Sequence, residues 1–286
     1  MKLEFEAAWN RFWFSPVSHE KTARFRVAAA SVAFIYFVLR HFYLSEFYFD
    51  DGILTLAKSK TIFGGVFHSP LFWFPSDPLA IHALHGLFLV SLATLALGVF
   101  PRVSAALALY IHVLFLNRNF LPMYGFDKIV SCWLFYLMFM KPGGYFTVFR
   151  SQTKSKLSSD LLTPAAVRMA QLHLCVVYAY SGLEKMRGQG WWNGEALWGI
   201  LANGIVAPFD MGFMAHLPWL VYAGTYSTVL WEIYFPLAIW VPALRKPWLF
   251  FGVVFHLMTA LMMNLIFFAA IMLAGYQLFW DRESKD

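Results

Sequence analysis

Charge is scarce in this 286-residue chain: 13% of its residues are Asp, Glu, Lys or Arg, against 60% that are hydrophobic. A soluble domain carries about 25% charged residues, so a water-facing globular surface is excluded and an integral membrane protein is implied. Cysteine is scarcer still, with Cys132 and Cys175 alone. Both fall in apolar stretches, which speaks against a disulfide framework and for core filling. No CxxC pair, HExxH, Walker loop or GxGxxG occurs, so zinc and nucleotide chemistry find no support and no metal is expected. The net charge of +6 comes without a basic run threaded with aromatics, and nucleic acid is not an expected partner. The basic start, short apolar run and small-residue cleavage site of a signal peptide are missing as well.

Aromatic side chains are abundant, with 31 Phe, 13 Tyr and 12 Trp. They suit anchors at the two faces of a lipid bilayer. A spanning helix needs about 20 largely apolar residues. Such stretches lie near 23–44, 79–99, 102–118, 124–141, 164–184, 217–241, 247–263 and 265–280. The expected fold is therefore all-α: one polytopic membrane domain over residues 1–286, with about eight transmembrane helices. Ahead of them, "MKLEFEAAWNRFWF" places Phe5, Ala8, Trp9 and Phe12 at helical spacing. Residues 1–16 read as an amphipathic helix lying in the membrane surface. No internal repeat or inverted pair of broken helices is visible, which argues against a transporter.

Orientation follows from Lys and Arg. If both termini are cytoplasmic and the spans alternate, most of the 22 basic residues fall on the inner side. Three connecting segments are then informative. Residues 45–78, with "FGGVFHSPLFWFPSD", read as an outer surface loop; 142–163 as an inner, solvated Ser/Lys-rich loop; and 185–216 as an outer loop able to cover a site.

Ionisable groups at membrane depth cost several kcal/mol and deserve a functional hypothesis. "YAYSGLEKMRGQGWWNGEALW" brings Lys185 to the end of an apolar segment, on one helical face with Cys175, Tyr178 and Gly182. Lys185 there is a candidate base; the plainer reading is a snorkelling lysine at a helix end. His256 sits inside the seventh apolar stretch as a candidate acid, base or donor, or simply as a satisfied core histidine. Glu232, near the centre of its stretch, needs a partner or a proton; it could hold Lys185 or His256 in place, and the plainer reading is a brace for a polar helix contact. "NRNFLPMYGFDK" (117–128) puts Asn119 and Asp127 at an outer turn, where an ordinary polar turn is the plainer reading.

Taken in order, these features resemble a known family. Tyr178-x-x-Ser181-Gly182-x-x-Lys185 followed by Trp191-Trp192-x-Gly194 resembles the vitamin K-dependent γ-glutamyl carboxylases and the HTTM (horizontally transferred transmembrane domain) proteins that share their membrane core. "FEAAWNRFWFSPVS" with "ARFRVAAA", the Asn119 and Tyr124-Gly125 turn, Glu232, and Phe255-His256 fall in the family's order over nearly the whole chain. The resemblance implies a quinol-using membrane enzyme. In the family, a lysine matching Lys185 deprotonates reduced vitamin K, oxygen adds, and the stronger base so formed removes a γ-proton from glutamate. Carbon dioxide traps the carbanion and the quinone leaves as its epoxide. A histidine matching His256 and an asparagine matching Asn119 belong to the quinol site, with Tyr178, Trp192 and Glu232 beside them.

The implied substrates are thus reduced vitamin K or menaquinol, O2 and CO2, and the implied partners are the lipid bilayer and a secreted peptide or protein. The expected location is a bacterial inner membrane, and the Lys and Arg distribution puts both termini on the cytoplasmic side and the site on the periplasmic side. The chain departs from the carboxylases at Glu184, where they have a second lysine, and at Phe120, where they have a histidine. It ends at Asp286, past the last span, so the carboxylases' lumenal domain is not expected, and peptide carboxylation does not follow. A non-enzymatic component that binds lipid or peptide, or that helps a secreted partner mature, is the alternative.

Overall fold

A computed structural model describes residues 2–63, 77–141, 143–148, 156–204 and 207–280. Among the described residues the chain is helical, with no strands beyond an isolated bridge between Ser18 and Leu157. It divides into two compact units, 1–168 with 280–286, and 169–279.

The first unit opens with α1 (Lys2–Phe14), which leaves Leu3, Phe5, Trp9 and Phe14 exposed. The rings of Phe5, Trp9 and Trp13 follow one another along it. Its far end is fixed by Arg168, whose Nε donates to the Phe12 carbonyl at 2.8 Å while the guanidinium stands over the Phe12 ring. The helices that follow are α2 (His19–His41), α3 (Leu44–Tyr48), α4 (Leu56–Phe63), α5 (Pro78–Leu97), α6 (Pro101–Arg118) and α7 (Gly125–Leu137). α5 packs on both α2 and α6, and α7 packs on α6 and α2. Small residues make the close approach possible: Ala29, Ala30 and Ala33 of α2 and Ala105 and Ala108 of α6 are buried. The aromatic core fills what remains, with Phe37 against Phe88 and Phe25 edge-on to Trp133.

Local chemistry sets the helix ends. Asp77 caps α5 by accepting from the Ala80 N–H, and Pro78 occupies its first turn. Gly98 stops α5 at φ 74°, the left-handed geometry a C-terminal glycine takes without strain. A Cβ there would also press on Thr147 and on the Arg26 guanidinium. Arg26, 1% exposed, donates to the carbonyls of Leu95, Ala96, Tyr145 and Phe146. It thereby satisfies the open end of α5 and ties down the start of the 142–163 loop.

The far end of that loop is held too. Ser158 exchanges hydrogen bonds with Val17, and the His19 N–H donates to the Lys156 carbonyl. The described parts of the loop are therefore pinned, where the Ser/Lys composition suggested a freely solvated connection.

The second unit holds most of α8 (Leu162–Lys185), followed by α9 (Gln189–Trp192), α10 (Ala196–Leu201), a 3-10 turn (Gly212–His216), α11 (Pro218–Ala238), α12 (Pro242–Met262) and α13 (Ile266–Tyr276). About half of the described residues of 185–216 are helical, and the segment packs onto α11. The Tyr226 hydroxyl donates to the Trp192 carbonyl, the Leu197 N–H donates to Thr225 Oγ1, and Leu201, Met211, Met214 and Val221 close a small core. Trp231 of α11 and Trp248 of α12 exchange indole-to-carbonyl hydrogen bonds.

Each of the expected apolar stretches carries a helix, yet only two described helices, His19–His41 and Pro78–Leu97, are both long and apolar enough to cross a membrane on their own. α7 and α13 have 13 and 11 residues, about 20 and 16 Å of rise against a hydrocarbon core of about 30 Å. α12 begins at Pro242, so Arg245 and Lys246 lie within the helix and not in a preceding loop. Of the outer surface loop expected over 45–78, residues 45–63 carry α3 and α4, and 64–76, most of "FGGVFHSPLFWFPSD", lie outside the described residues.

Candidate functional site

Lys185 is the last residue of α8. The side chain turns back along its own helix and across to α11, donating to Ser181 Oγ at 2.7 Å and to Glu232 Oε1 and Oε2 at 2.9 and 2.7 Å. Ser181 also donates to Glu232 Oε1 at 3.1 Å. Glu232 is 4% exposed and Lys185 21%, so the carboxylate is sealed while the ammonium keeps an open side. The Trp191 ring covers part of that side, 5.4 Å from Nζ. All three donors of an ammonium thus have acceptors.

Gly182 allows this geometry. A Cβ there would meet Ile233 Cγ1 at 2.7 Å, its backbone nitrogen at 3.1 Å and Glu232 Cβ at 3.2 Å. The missing side chain lets α11 come close enough for Glu232 to reach the lysine.

Tyr178 lies two helical turns back from Lys185, about 10 Å along the axis. Its hydroxyl is 2.7 Å from His256 Nε2 on α12 and 2.9 Å from the Tyr276 hydroxyl on α13. His256 is 1% exposed, and its Nδ1 has no hydrogen-bond partner. Trp231 and Phe235 of α11 wall the trio, their ring centroids 4.7 and 4.3 Å from that of Tyr178. Gly252 leaves room for the Tyr276 hydroxyl, which a Cβ at 252 would overlap along with Trp231.

The second unit therefore holds two polar clusters along one face of α8, Lys185–Ser181–Glu232 and Tyr178–His256–Tyr276. Among the residues expected at the site, Lys185 and Glu232 meet directly and Tyr178 meets His256. Trp192 is 59% exposed, with its indole N–H on the Met186 carbonyl; it is Trp191 whose ring faces the ammonium. Asn119 belongs to the first unit, where it is fully buried, donates to the Phe47 carbonyl and accepts from the Leu121 N–H.

Tyr276 carries no expectation from sequence, because a tyrosine near the end of an apolar helix reads as an interface anchor. Its neighbour Gly275 and the polar residues at 178 and 256 were the available signals. Both cysteines are free thiols, Cys175 buried and Cys132 half-buried.

Arranged this way, the lysine and carboxylate can exchange a proton, and the Tyr–His–Tyr row can accept or donate one at the unpartnered His256 nitrogen. No curated protein and no solved structure matches the chain. An HTTM domain model matches residues 53–283, a range that contains both clusters. The chain belongs to the HTTM domain family.

Proposed function

We propose that this HTTM protein is a membrane enzyme that takes a proton from a lipid-soluble hydroquinone, of the menaquinol or reduced vitamin K type, as the first step of its oxygen-dependent epoxidation. The observation that carries the reading is the paired ammonium and carboxylate of Lys185 and Glu232 at the open edge of an apolar unit. If the ammonium passes one proton to Glu232, it becomes a neutral amine with a lone pair, held by Ser181 and facing Trp191. Such an amine is a competent base, and Glu232 stores the proton. The unpartnered Nδ1 of His256 suits a quinol hydroxyl or carbonyl oxygen, and the aromatic walls at Trp231 and Phe235 suit its ring. Carboxylation of a glutamate on a secreted peptide, using CO2, is the further step the family resemblance suggests.

In the same reading all eight long or apolar helices, α2, α5 to α8 and α11 to α13, lie in the membrane. α1 lies in the interface, both termini are cytoplasmic, and Lys185 opens to the periplasmic side of a bacterial inner membrane.

One observation favours a second reading. Every donor of Lys185 is occupied, as in a brace that holds α8 to α11 in a lipid- or peptide-binding component. The two readings separate when purified protein in nanodiscs receives reduced vitamin K or menaquinol and oxygen. The enzyme forms epoxide above a protein-free control and Lys185→Ala abolishes it; a brace gives none from either protein.

A further inference from the structure

A second group of ionisable side chains lies in the first unit, and nothing in the proposed chemistry uses it. His41 ends α2, and His85 lies in the second turn of α5. Their Nδ1 atoms are 3.0 Å apart. Such a contact requires one ring to carry hydrogen at Nδ1 and the other to present a lone pair. His82, one turn earlier on α5, places its ring 5.0 Å from that of His41. Exposure falls along the row: His82 is exposed, His41 half-buried and His85 2% exposed. Among the described residues no group of three or more His, Cys, Asp or Glu could hold a metal ion, so the row is read as hydrogen-bonding imidazoles.

His85 has its other nitrogen, Nε2, buried and without a partner. An unsatisfied buried polar atom costs about 1–3 kcal/mol. Beside it is a cavity of about 10 Å³, lined by Phe37, Arg40, Tyr48, Phe88 and His112 with His85 itself. That is room for a single water, which needs two to four polar partners. The polar side chains among its lining residues are Arg40, Tyr48, His85 and His112. Arg40 and His112 are themselves fixed by Asp127 of α7, the first through its carboxylate and the second through its carbonyl.

We infer that His85 Nε2 holds one buried water in this cavity, and that His41 and His85 form a proton path between that water and the solvent side of α2 and α5. Each neutral imidazole gains a proton at one ring nitrogen and loses the one carried at the other. His41 takes a proton at Nε2 and gives its Nδ1 proton to Nδ1 of His85, and His85 releases its Nε2 proton to the water. The reverse sequence returns a proton and restores both tautomers, so the path equilibrates cavity and solvent protons with no net charge left behind. This inference is independent of the quinol reading.

The test uses the whole chain in nanodiscs, labelled with 15N-histidine. Three results are expected: a coupling across the Nδ1–Nδ1 hydrogen bond, magnetisation transfer between water and the His85 Nε2 site, and slowing of solvent exchange at that site by tenfold or more in His41→Phe. Absence of the coupling or of the water contact in the native protein overturns the proposal, whether or not the variant folds. Unchanged exchange in a folded His41→Phe, with His41→Gln as a second probe, overturns the path.

Discussion

Lys185 meets Glu232 through both carboxylate oxygens, at 2.9 and 2.7 Å, whereas Tyr178, two turns back along α8, reaches α12 and α13. One helix face therefore serves two clusters with different partners. Breaking the pair from either side leaves a charge in an apolar setting. Lys185→Met is predicted to lower the unfolding free energy in detergent by about 2–4 kcal/mol, low in the range for buried pairs because the ammonium keeps some solvent. The double change Lys185→Met with Glu232→Leu should cost less than the sum of the single changes. Denaturation midpoints of the four proteins measure the coupling; strict additivity would mean the contact contributes nothing.

The glycines offer a graded series. Gly252→Ala forces Tyr276 and Trp231 apart, and Gly182→Ala pushes on Ile233, whose side chain and backbone both crowd the new methyl. Both should destabilise, by about 1–3 kcal/mol, with Gly252 the worse. Gly86 in α5 has open space where its Cβ would be, so Gly86→Ala should be neutral or stabilising by up to about 1 kcal/mol. Thermal midpoints of the three variants give the order.

Arg26 closes the carbonyl end of α5 and holds Tyr145 and Phe146. Arg26→Met removes five donors and strands those carbonyls. The expected outcome is faster proteolysis within 143–148 at unchanged helix content, with Arg26→Lys intermediate because a point charge lacks the guanidinium fork. Limited proteolysis followed by circular dichroism checks it.

Asp160 precedes α8 and accepts from the Thr163 N–H and hydroxyl at 2.7 and 3.1 Å. Burial pushes its carboxyl up, but the Thr163 bonds, with Lys141 and Arg102 nearby, together hold it below the usual carboxylate value. A group with a depressed folded value stabilises above its unfolded value, near 3.9, and loses that contribution as pH falls through the folded one. Asp160→Asn should therefore lower the thermal midpoint at pH 7, and the gap to the native protein should close below about pH 4. A constant gap across that range would contradict the assignment.

The helices were legible from hydrophobic run length, and the Lys185 face from the spacing of 178, 182 and 185. That Glu232 needs a partner or a proton was legible from its place in an apolar run, but the choice of Lys185 over His256 or a plain polar helix contact was not. Span lengths were less legible: α7 and α13 are cut short by turns at their ends, which an apolar run does not register. Tyr276 and Trp191 were hidden because aromatics are everywhere in this chain, and only the coordinates pick out the ring over an ammonium. The histidine row was hidden because His41 and His85 are 44 residues apart in sequence.

The claim that organises the site is that the amine of Lys185 is a base toward hydroquinone. Chemical rescue tests it most directly. Epoxide formation from reduced vitamin K is measured in nanodiscs for the native protein and for Lys185→Ala, with and without added methylamine. The account predicts a loss of about 10² or more in the variant and recovery of at least tenfold with the free amine. A variant that turns over at the native rate, or a native protein that makes no epoxide, would contradict it.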